Sequence, residues 1–198
     1  MHIEPGHWQE HGLASGGVRF APLSGVALRD LNAVGSLFLR TENGELMERW
    51  WDANPVSPVV GTPEAAVASA GAATVKGWQW INHGHPEGAP IVSAPGALIN
   101  GLSVFMTTTE GSLCERFWNG TAWVWIDHGQ PGSPLLPVSP VDLHDGAVFC
   151  QLQNGKLAER LWQQKKWTWK SYDVPEGGGA KYCSSDPLSR NNCVRGYV

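Results

Sequence analysis

The side chains of this sequence that could do chemistry occur in repeated sets. The motif Gly-x-Leu-x-Glu-Arg-x-Trp occurs three times, and each copy is followed by a segment that begins with Trp-x-Trp. This segment ends in His-Gly in the first two copies and in Tyr-Asp in the third. Carboxylate and guanidinium groups form strong hydrogen bonds, and indole rings stack on flat apolar surfaces. The candidate ligand-binding residues are therefore Glu48, Arg49, Trp51, Trp80, His83, Glu115, Arg116, Trp118, Trp123, Trp125, His128, Glu159, Arg160, Trp162, Trp167 and Trp169.

Each of these residue types also has a structural interpretation. Most of the 11 tryptophans are expected to fill the space between repeated units, and the remainder to stack on sugar rings beside polar groups that bond the hydroxyls. The Glu-Arg pair either forms an ion pair between units or lines a cleft and binds a ligand. The histidines at His11, His83 and His128 either end a strand at a turn or bind a ligand.

The spacing of the motif predicts the elements that carry it. Gly111 and Gly155 lie 44 residues apart, which is the length of one four-stranded blade of a β-propeller. Gly44 and Gly111 lie 67 residues apart, and the excess follows the first motif strand. We therefore predict an inserted loop over 54–76.

These repeats predict an all-β fold, a single β-propeller domain over 1–198 built from four-stranded antiparallel blades. Three full units span roughly 18–84, 90–129 and 135–173. A Trp-x-x-His-Gly fragment near the N-terminus and a lead-in fragment near the C-terminus predict a split, incomplete fourth blade from 1–12 and 180–198. Strand edges left open by such a blade favour pairing with another copy, so we expect a homo-oligomer.

Composition argues against several classes of function. A net charge of −4 with 14 Lys and Arg residues argues against nucleic-acid binding, which needs a concentrated basic surface. No stretch approaches the ~20 apolar residues that span a bilayer. The N-terminus lacks the charged and apolar regions of a secretory signal, so a soluble cytoplasmic protein is the default expectation.

The four cysteines fall into two groups. Cys114 and Cys150 occupy strand positions filled by apolar residues in the first unit, and we expect them to be buried and free. Cys183 and Cys193 lie close together in a polar tail. For that pair, free thiols and a disulfide that closes the C-terminal loop both stay open.

No cofactor or catalytic centre is expected. His83, His85 and Glu87 could ligate a metal ion, but Gln130 and Val174 stand at the His85 position in the other units, so we predict no metal site. The zincin, nucleophile-elbow, Walker and dinucleotide motifs and the sialidase box are missing from the sequence. We therefore predict that the protein is not an enzyme, although a catalytic pair of carboxylates stays open.

A family resemblance rests on the run Leu37-Phe-Leu-Arg40 before the first motif and on the Trp-x-Trp after it. This pattern resembles the repeat of the Photorhabdus-type β-propeller lectins over residues from about 8 to 173 and, more distantly, the fungal fucose-specific lectins and tectonin propellers. The resemblance implies a ring-shaped sugar binder with sites between blades, for fucose or O-methylated sugars. In the fungal fucose lectins an Arg twelve residues before the blade Glu holds the sugar. Those positions here are Ser36, Ser103 and Ala147, so that site is not reproduced.

Three functional hypotheses follow. The first is a multivalent carbohydrate-binding propeller whose partners are glycans or glycoconjugates, and whose equivalent sites give avidity. The second is a non-enzymatic scaffold that binds proteins on a propeller face or through the 54–76 loop. The third is a glycoside-processing enzyme. Competition by free sugar separates the first two hypotheses, and consumption of a glycoside would identify the third.

Overall fold

The structure, a computed structural model of the protein, describes residues 17–29, 35–52, 77–96, 103–144 and 146–173. These residues contain no helix. The strands are β1 (Phe20–Arg29), β2 (Gly35–Thr41), β3 (Leu46–Asp52), β4 (Gly77–Gly84), β5 (Ser103–Thr107), β6 (Leu113–Trp118), β7 (Trp123–Gly129), β8 (Val141–His144), β9 (Ala147–Gln151), β10 (Leu157–Gln163) and β11 (Lys166–Tyr172). Outside the described residues lie the predictions made for 1–12, 54–76, 180–198, His11, Cys183 and Cys193.

The strands form three antiparallel sheets in chain order. Strands β1 to β4 form sheet 1, β5 to β7 form sheet 2, and β8 to β11 form sheet 3. Each copy of the motif lies on the corresponding strand, β3, β6 or β10, and pairs with the Trp-x-Trp strand that follows it. The predicted all-β class is therefore confirmed as three antiparallel sheets, but the predicted four strands are found only in sheets 1 and 3, since sheet 2 has three strands among the described residues. The closed propeller and the boundaries of the units stay predictions.

The cores lie between neighbouring sheets. The core between sheets 1 and 2 consists of Phe38, Leu46, Ile91, Val104, Met106 and Cys114, with Trp123 and Trp125 packed against it. The core between sheets 2 and 3 consists of Phe105, Leu113, Leu135, Val148, Cys150, Leu152 and Ala158, with Trp167 and Trp169 packed against it. Successive residues of a strand point to opposite faces, so sheet 2 contributes to a core on each side. The sheets therefore stack face to face, and the motif side chains lie in the gaps between them.

The two cysteines of the described residues are part of these cores. Cys114 and Cys150 are free and buried, as predicted. Burial raises the pKa of both thiols to about 12. Both side chains therefore act as small apolar fillers at neutral pH.

The turns before the first two motif strands are tied to the segments that enter the next sheets. The backbone N–H of Ile91 donates to the carbonyl oxygen of Gly44 at 2.9 Å, and that of Leu135 donates to the carbonyl oxygen of Gly111 at 2.8 Å. Gly111 has a φ of 75°, and a Cβ at this position would lie 2.6 Å from the Cβ of Pro134. Only glycine meets both conditions without strain.

Replacing Gly111 by alanine is expected to lower the free energy of unfolding by about 2 kcal/mol. The positive φ accounts for ~1 kcal/mol of this loss, and displacement of Pro134 accounts for the rest. Gly129→Ala is the matched control, because Gly129 has a φ of 68° and no atom within 4 Å of an added Cβ. Urea unfolding followed by tryptophan fluorescence measures both variants. Equal losses for the two variants would contradict the role of the close contact.

The described residues form neither a membrane-spanning helix nor a cluster of metal ligands. No helix there is long and apolar enough to cross a membrane. Within the same residues, no group of three or more His, Cys, Asp or Glu side chains is arranged to hold a metal ion.

Candidate functional site between the sheets

A buried carboxylate lies in the middle of sheet 1. Glu48 on β3 is only 5% exposed. Its Oε1 accepts a hydrogen bond from Ser36 Oγ on β2 at 2.6 Å, and its Oε2 lies 2.9 Å from His83 Nε2 on β4. Three adjacent strands thus supply one residue each, and both carboxylate oxygens are bonded inside the sheet.

Sheet 2 repeats this arrangement at equivalent positions. Ser103 Oγ on β5 donates to Glu115 Oε1 on β6 at 2.5 Å, and His128 Nε2 on β7 lies 2.8 Å from Glu115 Oε2. All three residues are buried. The repetition indicates that the strand register, rather than a local accident, places these groups together.

Sheet 3 keeps the carboxylate and changes its partners. Ala147 stands at the serine position and Tyr172 at the histidine position. The hydroxyl of Tyr172 donates to Glu159 Oε2, and Lys170 Nζ lies 4.6 Å from the centroid of the tyrosine ring. The third sheet therefore presents a phenol where the first two present an imidazole.

An arginine of the following sheet binds each of the two histidines. Arg116 Nε donates to His83 Nδ1 at 3.4 Å, and Arg160 Nε donates to His128 Nδ1 at 3.3 Å. Because Nδ1 accepts a hydrogen bond, Nε2 carries the imidazole proton and donates it to the glutamate. We call the two chains of hydrogen bonds the first relay (Arg116, His83, Glu48, Ser36) and the second relay (Arg160, His128, Glu115, Ser103).

Tryptophans of the following sheet support the same contacts. Trp125 Nε1 donates to the backbone oxygen of His83 at 3.3 Å, and the guanidinium carbon of Arg116 lies 5.0 Å from a ring centroid of Trp125. In the second relay the corresponding distances, made by Trp169, are 3.1 Å and 5.1 Å. A cation above an indole face is attracted by the ring, so these tryptophans hold the arginines in place.

Burial changes the ionisation of the first relay. Burial lowers the pKa of His83, and the positive charge of Arg116 lowers it further. The hydrogen bond to Glu48 and the charge of that carboxylate raise the pKa, but burial is the largest effect. Burial also lowers the pKa of Arg116 to about 10, against the charge of Glu48. At neutral pH His83 is therefore neutral and Arg116 is positively charged.

A pair of tryptophans closes the end of each motif hairpin. The ring-centroid distances are 5.7 Å for Trp51 with Trp78, 5.7 Å for Trp118 with Trp123 and 5.3 Å for Trp162 with Trp167. The side chains of Trp51 and Trp162 are 42% and 48% exposed. Trp51, Trp118 and Trp162 each follow a motif arginine by two residues, so the arginine and the tryptophan share one face of the strand.

The partners of these rings have a packing role. Trp123 lies edge-on to His83 with a centroid distance of 5.2 Å and to Phe38 with a distance of 5.8 Å. Trp167 is placed in the same way against His128, at 4.9 Å. These two tryptophans fill the gaps between sheets.

The predicted site residues thus divide into groups by what they contact. Hydrogen bonds inside the protein engage Glu48, Glu115, Glu159, His83 and His128. The guanidinium groups of Arg49, Arg116 and Arg160 lie over Trp80, Trp125 and Trp169. Trp123 and Trp167 pack in the gaps, and Trp51, Trp118 and Trp162 lie at the hairpin ends. The arginines of sheets 2 and 3 contact histidine rather than the glutamate that the ion-pair interpretation required. Ligand binding by these residues stays a prediction.

Sequence reasoning missed the partners of the glutamates. Ser36 and Ser103 each precede a motif glutamate by twelve residues, and this constant interval was the available signal. The interval spans a hairpin, so it has a meaning only once the register of the strands is known. Tyr172 was visible as a change at the histidine position, but its role as a donor was not.

Comparisons with known proteins complete the description of the site. No family model matches the chain, and no curated protein matches it. Among solved structures, the chain is similar to AofleA from Arthrobotrys oligospora, with 15% identity and a TM-score of 0.42. The similarity covers 80% of this chain and 43% of AofleA, so the chain spans less than half the length of that protein. A likeness this low carries no conclusion about the ligand.

Proposed function

We propose that the protein is a carbohydrate-binding lectin with multivalent sites between successive Trp-rich sheets. The observation that carries the proposal is the repeated placement of an arginine beside a tryptophan on one strand face. Arg116 and Trp118 lie on β6, and Arg160 and Trp162 lie on β10. Residues two apart on a strand are ~7 Å apart, a spacing that suits one sugar ring between a stacking surface and a hydrogen-bond donor.

The geometry supports noncovalent binding by each kind of side chain. Trp162, 48% exposed, presents an apolar face on which the C–H face of a sugar can stack. The guanidinium groups supply hydrogen-bond donors for hydroxyl oxygens. We expect glycans or glycoconjugates as partners, recognised through fucosylated or O-methylated sugars as the family resemblance implies, and no catalysis.

The proposed shape is a β-propeller closed by the terminal segments. Trp125 and Trp169 each donate to the histidine carbonyl of the preceding sheet. The equivalent atom of sheet 1, Trp80 Nε1, is buried and bonds no described residue. The sequence Trp8-Gln-Glu-His11-Gly12 repeats the segment that supplies this carbonyl elsewhere, and this repetition supports the proposed closure.

Removing the rings at two hairpin ends is expected to abolish multivalent binding. In the double variant Trp118→Ala/Trp162→Ala the stacking surface of two sites is lost, whereas the gap-filling Trp123 and Trp167 remain. Agglutination of erythrocytes and binding to a glycan array measure the effect, and we expect at least a tenfold loss from stacking terms of about 1–1.5 kcal/mol at each of two sites.

The matched control is Val141→Ala, which removes an apolar side chain that is 55% exposed and lies on β8, away from the motif strands. This variant should agglutinate as well as the wild type. Unchanged agglutination by the folded double variant would reject the lectin proposal.

The second candidate is a scaffold that binds a protein on sheet 3. Leu157 is 38% exposed, although its equivalents Leu46 and Leu113 are fully buried by the next sheet. An exposed apolar surface of this kind favours a protein partner. Free fucose, galactose or methylated hexose at millimolar concentration should compete with ligand in the lectin and have no effect on the scaffold.

A further inference from the structure

Arg116 is nearly buried and yet has unused hydrogen-bond donors. Arg116 is 4% exposed. Among the described residues, its side chain forms one hydrogen bond, which runs from Nε to His83 Nδ1. Both terminal nitrogens of Arg116 remain in contact with solvent. The two terminal NH₂ groups therefore reach the edge of the gap between sheets 1 and 2 with four N–H donors available.

Arg160 repeats this situation between sheets 2 and 3. Its Nε donates to His128 Nδ1 at 3.3 Å, and no other hydrogen bond links it to the described part of the chain. Its side chain is half-buried. Donors that end at the edge of a gap without a protein partner can bind a ligand, and their occurrence in two equivalent gaps indicates a function.

The histidines of the relays have no such capacity, and each glutamate oxygen already accepts one hydrogen bond inside its own sheet. Both oxygens of Glu48 and both ring nitrogens of His83 are bonded within the relay. The same holds for Glu115 and His128. A ligand that bound a histidine nitrogen directly would have to break a buried hydrogen bond, whereas a glutamate oxygen could accept a further hydrogen bond only from a donor that reached it inside the sheet.

We infer that Arg116 and Arg160 contact the ligand and that the remaining relay residues only position them. This inference rests on the proposed lectin function and assigns the roles within its sites. Each guanidinium binds two neighbouring hydroxyl oxygens of a sugar through its terminal nitrogens. Trp118 or Trp162, next on the same strand face, stacks on the ring of that sugar. Glu48, Glu115, Ser36, Ser103, His83 and His128 are positioning residues.

The charges in the relay favour a neutral sugar over an acidic one. The positive charge of Arg116 is already balanced by Glu48, because both side chains are bonded to the ring of His83. A carboxylate on the ligand would approach this same glutamate and be repelled. Vicinal hydroxyls match the planar fork of donors and bring no charge.

Calorimetric titration of the wild type with methyl fucoside, methyl galactoside and galacturonate tests the inference. We expect binding of one or both neutral glycosides and at least tenfold weaker binding of galacturonate. The double variants Arg116→Lys/Arg160→Lys and Arg116→Met/Arg160→Met should both bind the neutral glycoside at least tenfold more weakly, because lysine keeps the charge and loses the fork.

The outcomes separate this inference from the proposed function. A wild type that binds none of the three probes rejects the lectin proposal and this inference with it. A wild type that binds a neutral glycoside while both folded double variants bind it equally well rejects the inference alone. Galacturonate as the preferred ligand would overturn the assignment of a neutral sugar.

The positioning role of His83 predicts a pH profile. The groups that face its ring are Glu48 from β3 and Arg116 from β6, with the apolar rings of Phe38 and Trp123. Protonation of Nδ1 would remove the acceptor of Arg116 Nε and turn the guanidinium away. Sugar affinity of the wild type should therefore fall in acid, at a pH below the usual histidine pKa of about 6.5. The His83→Gln variant should show a flatter profile, and an equally steep profile would contradict the positioning role.

Discussion

Replacing Glu115 by alanine is expected to lower the free energy of unfolding by about 3 kcal/mol. Glu115 is 3% exposed and is the final acceptor of the second relay, since Ser103 and His128 both donate to it. Alanine leaves two buried donors without an acceptor, and a broken buried network costs about 3–5 kcal/mol. Urea unfolding followed by tryptophan fluorescence measures the loss.

Glu159→Ala is the matched control for this effect. Glu159 is also a buried motif glutamate, but Ala147 replaces its serine and its donor is the half-buried Tyr172. Water can solvate the freed tyrosine hydroxyl, so we expect a loss of about 1 kcal/mol. A loss for Glu115→Ala no larger than this would show that the relay does not stabilise the gap between sheets 2 and 3.

The second large effect is a loss of stability in acid that depends on His83. Burial lowers the pKa of His83 in the folded protein, so below the usual value of about 6.5 the unfolded chain binds a proton that the folded chain does not. The stabilising contribution is complete above pH 6.5 and is lost as the pH falls. The loss reaches at most about 1.4 kcal/mol for each pH unit below that value.

The contribution of His83 is isolated by comparison with His83→Gln. Glutamine is uncharged at every pH and can still form hydrogen bonds in the gap. The difference between the unfolding free energies of wild type and variant should shrink as the pH is lowered from 7 to 5. A difference that is constant over this range would mean that His83 takes up no proton on unfolding.

The sheets were predictable from the sequence because the repeat and its turns are local signals. The repeated motif and the Trp-x-Trp pair after each copy predicted three similar antiparallel units, and the residues of a strand such as Leu113–Trp118 alternate between its two faces. The face-to-face packing followed from the same alternation, because Cys114 and Leu113 must point to different neighbours. Strand bounds at the inserted loop were not tested, since 54–76 lies outside the described residues.

The site was harder to predict, because its contacts depend on the pairing register of the strands and on how the following sheet packs against them. The sequence pattern suggested an ion pair between units or a ligand-binding cleft for Glu115 and Arg116, but it did not show that each belongs to a different relay. Arg116 bonds His83, which is 33 residues away. No local spacing encodes such a contact, since it depends on how sheets 1 and 2 stack.

The relays also give the stack of sheets a direction. At each described gap the earlier sheet supplies histidine and glutamate, and the later sheet supplies arginine and tryptophan. The two faces of a sheet are therefore different in kind, and a face cannot pair with a copy of itself through these contacts. Assembly of several copies through the end faces would be heterologous, with the Glu159 and Tyr172 face of sheet 3 in one copy against the Arg49 face of sheet 1 in the next. Such contacts produce closed rings when the rotation closes and open filaments when it does not, whereas two-fold dimers must use another surface.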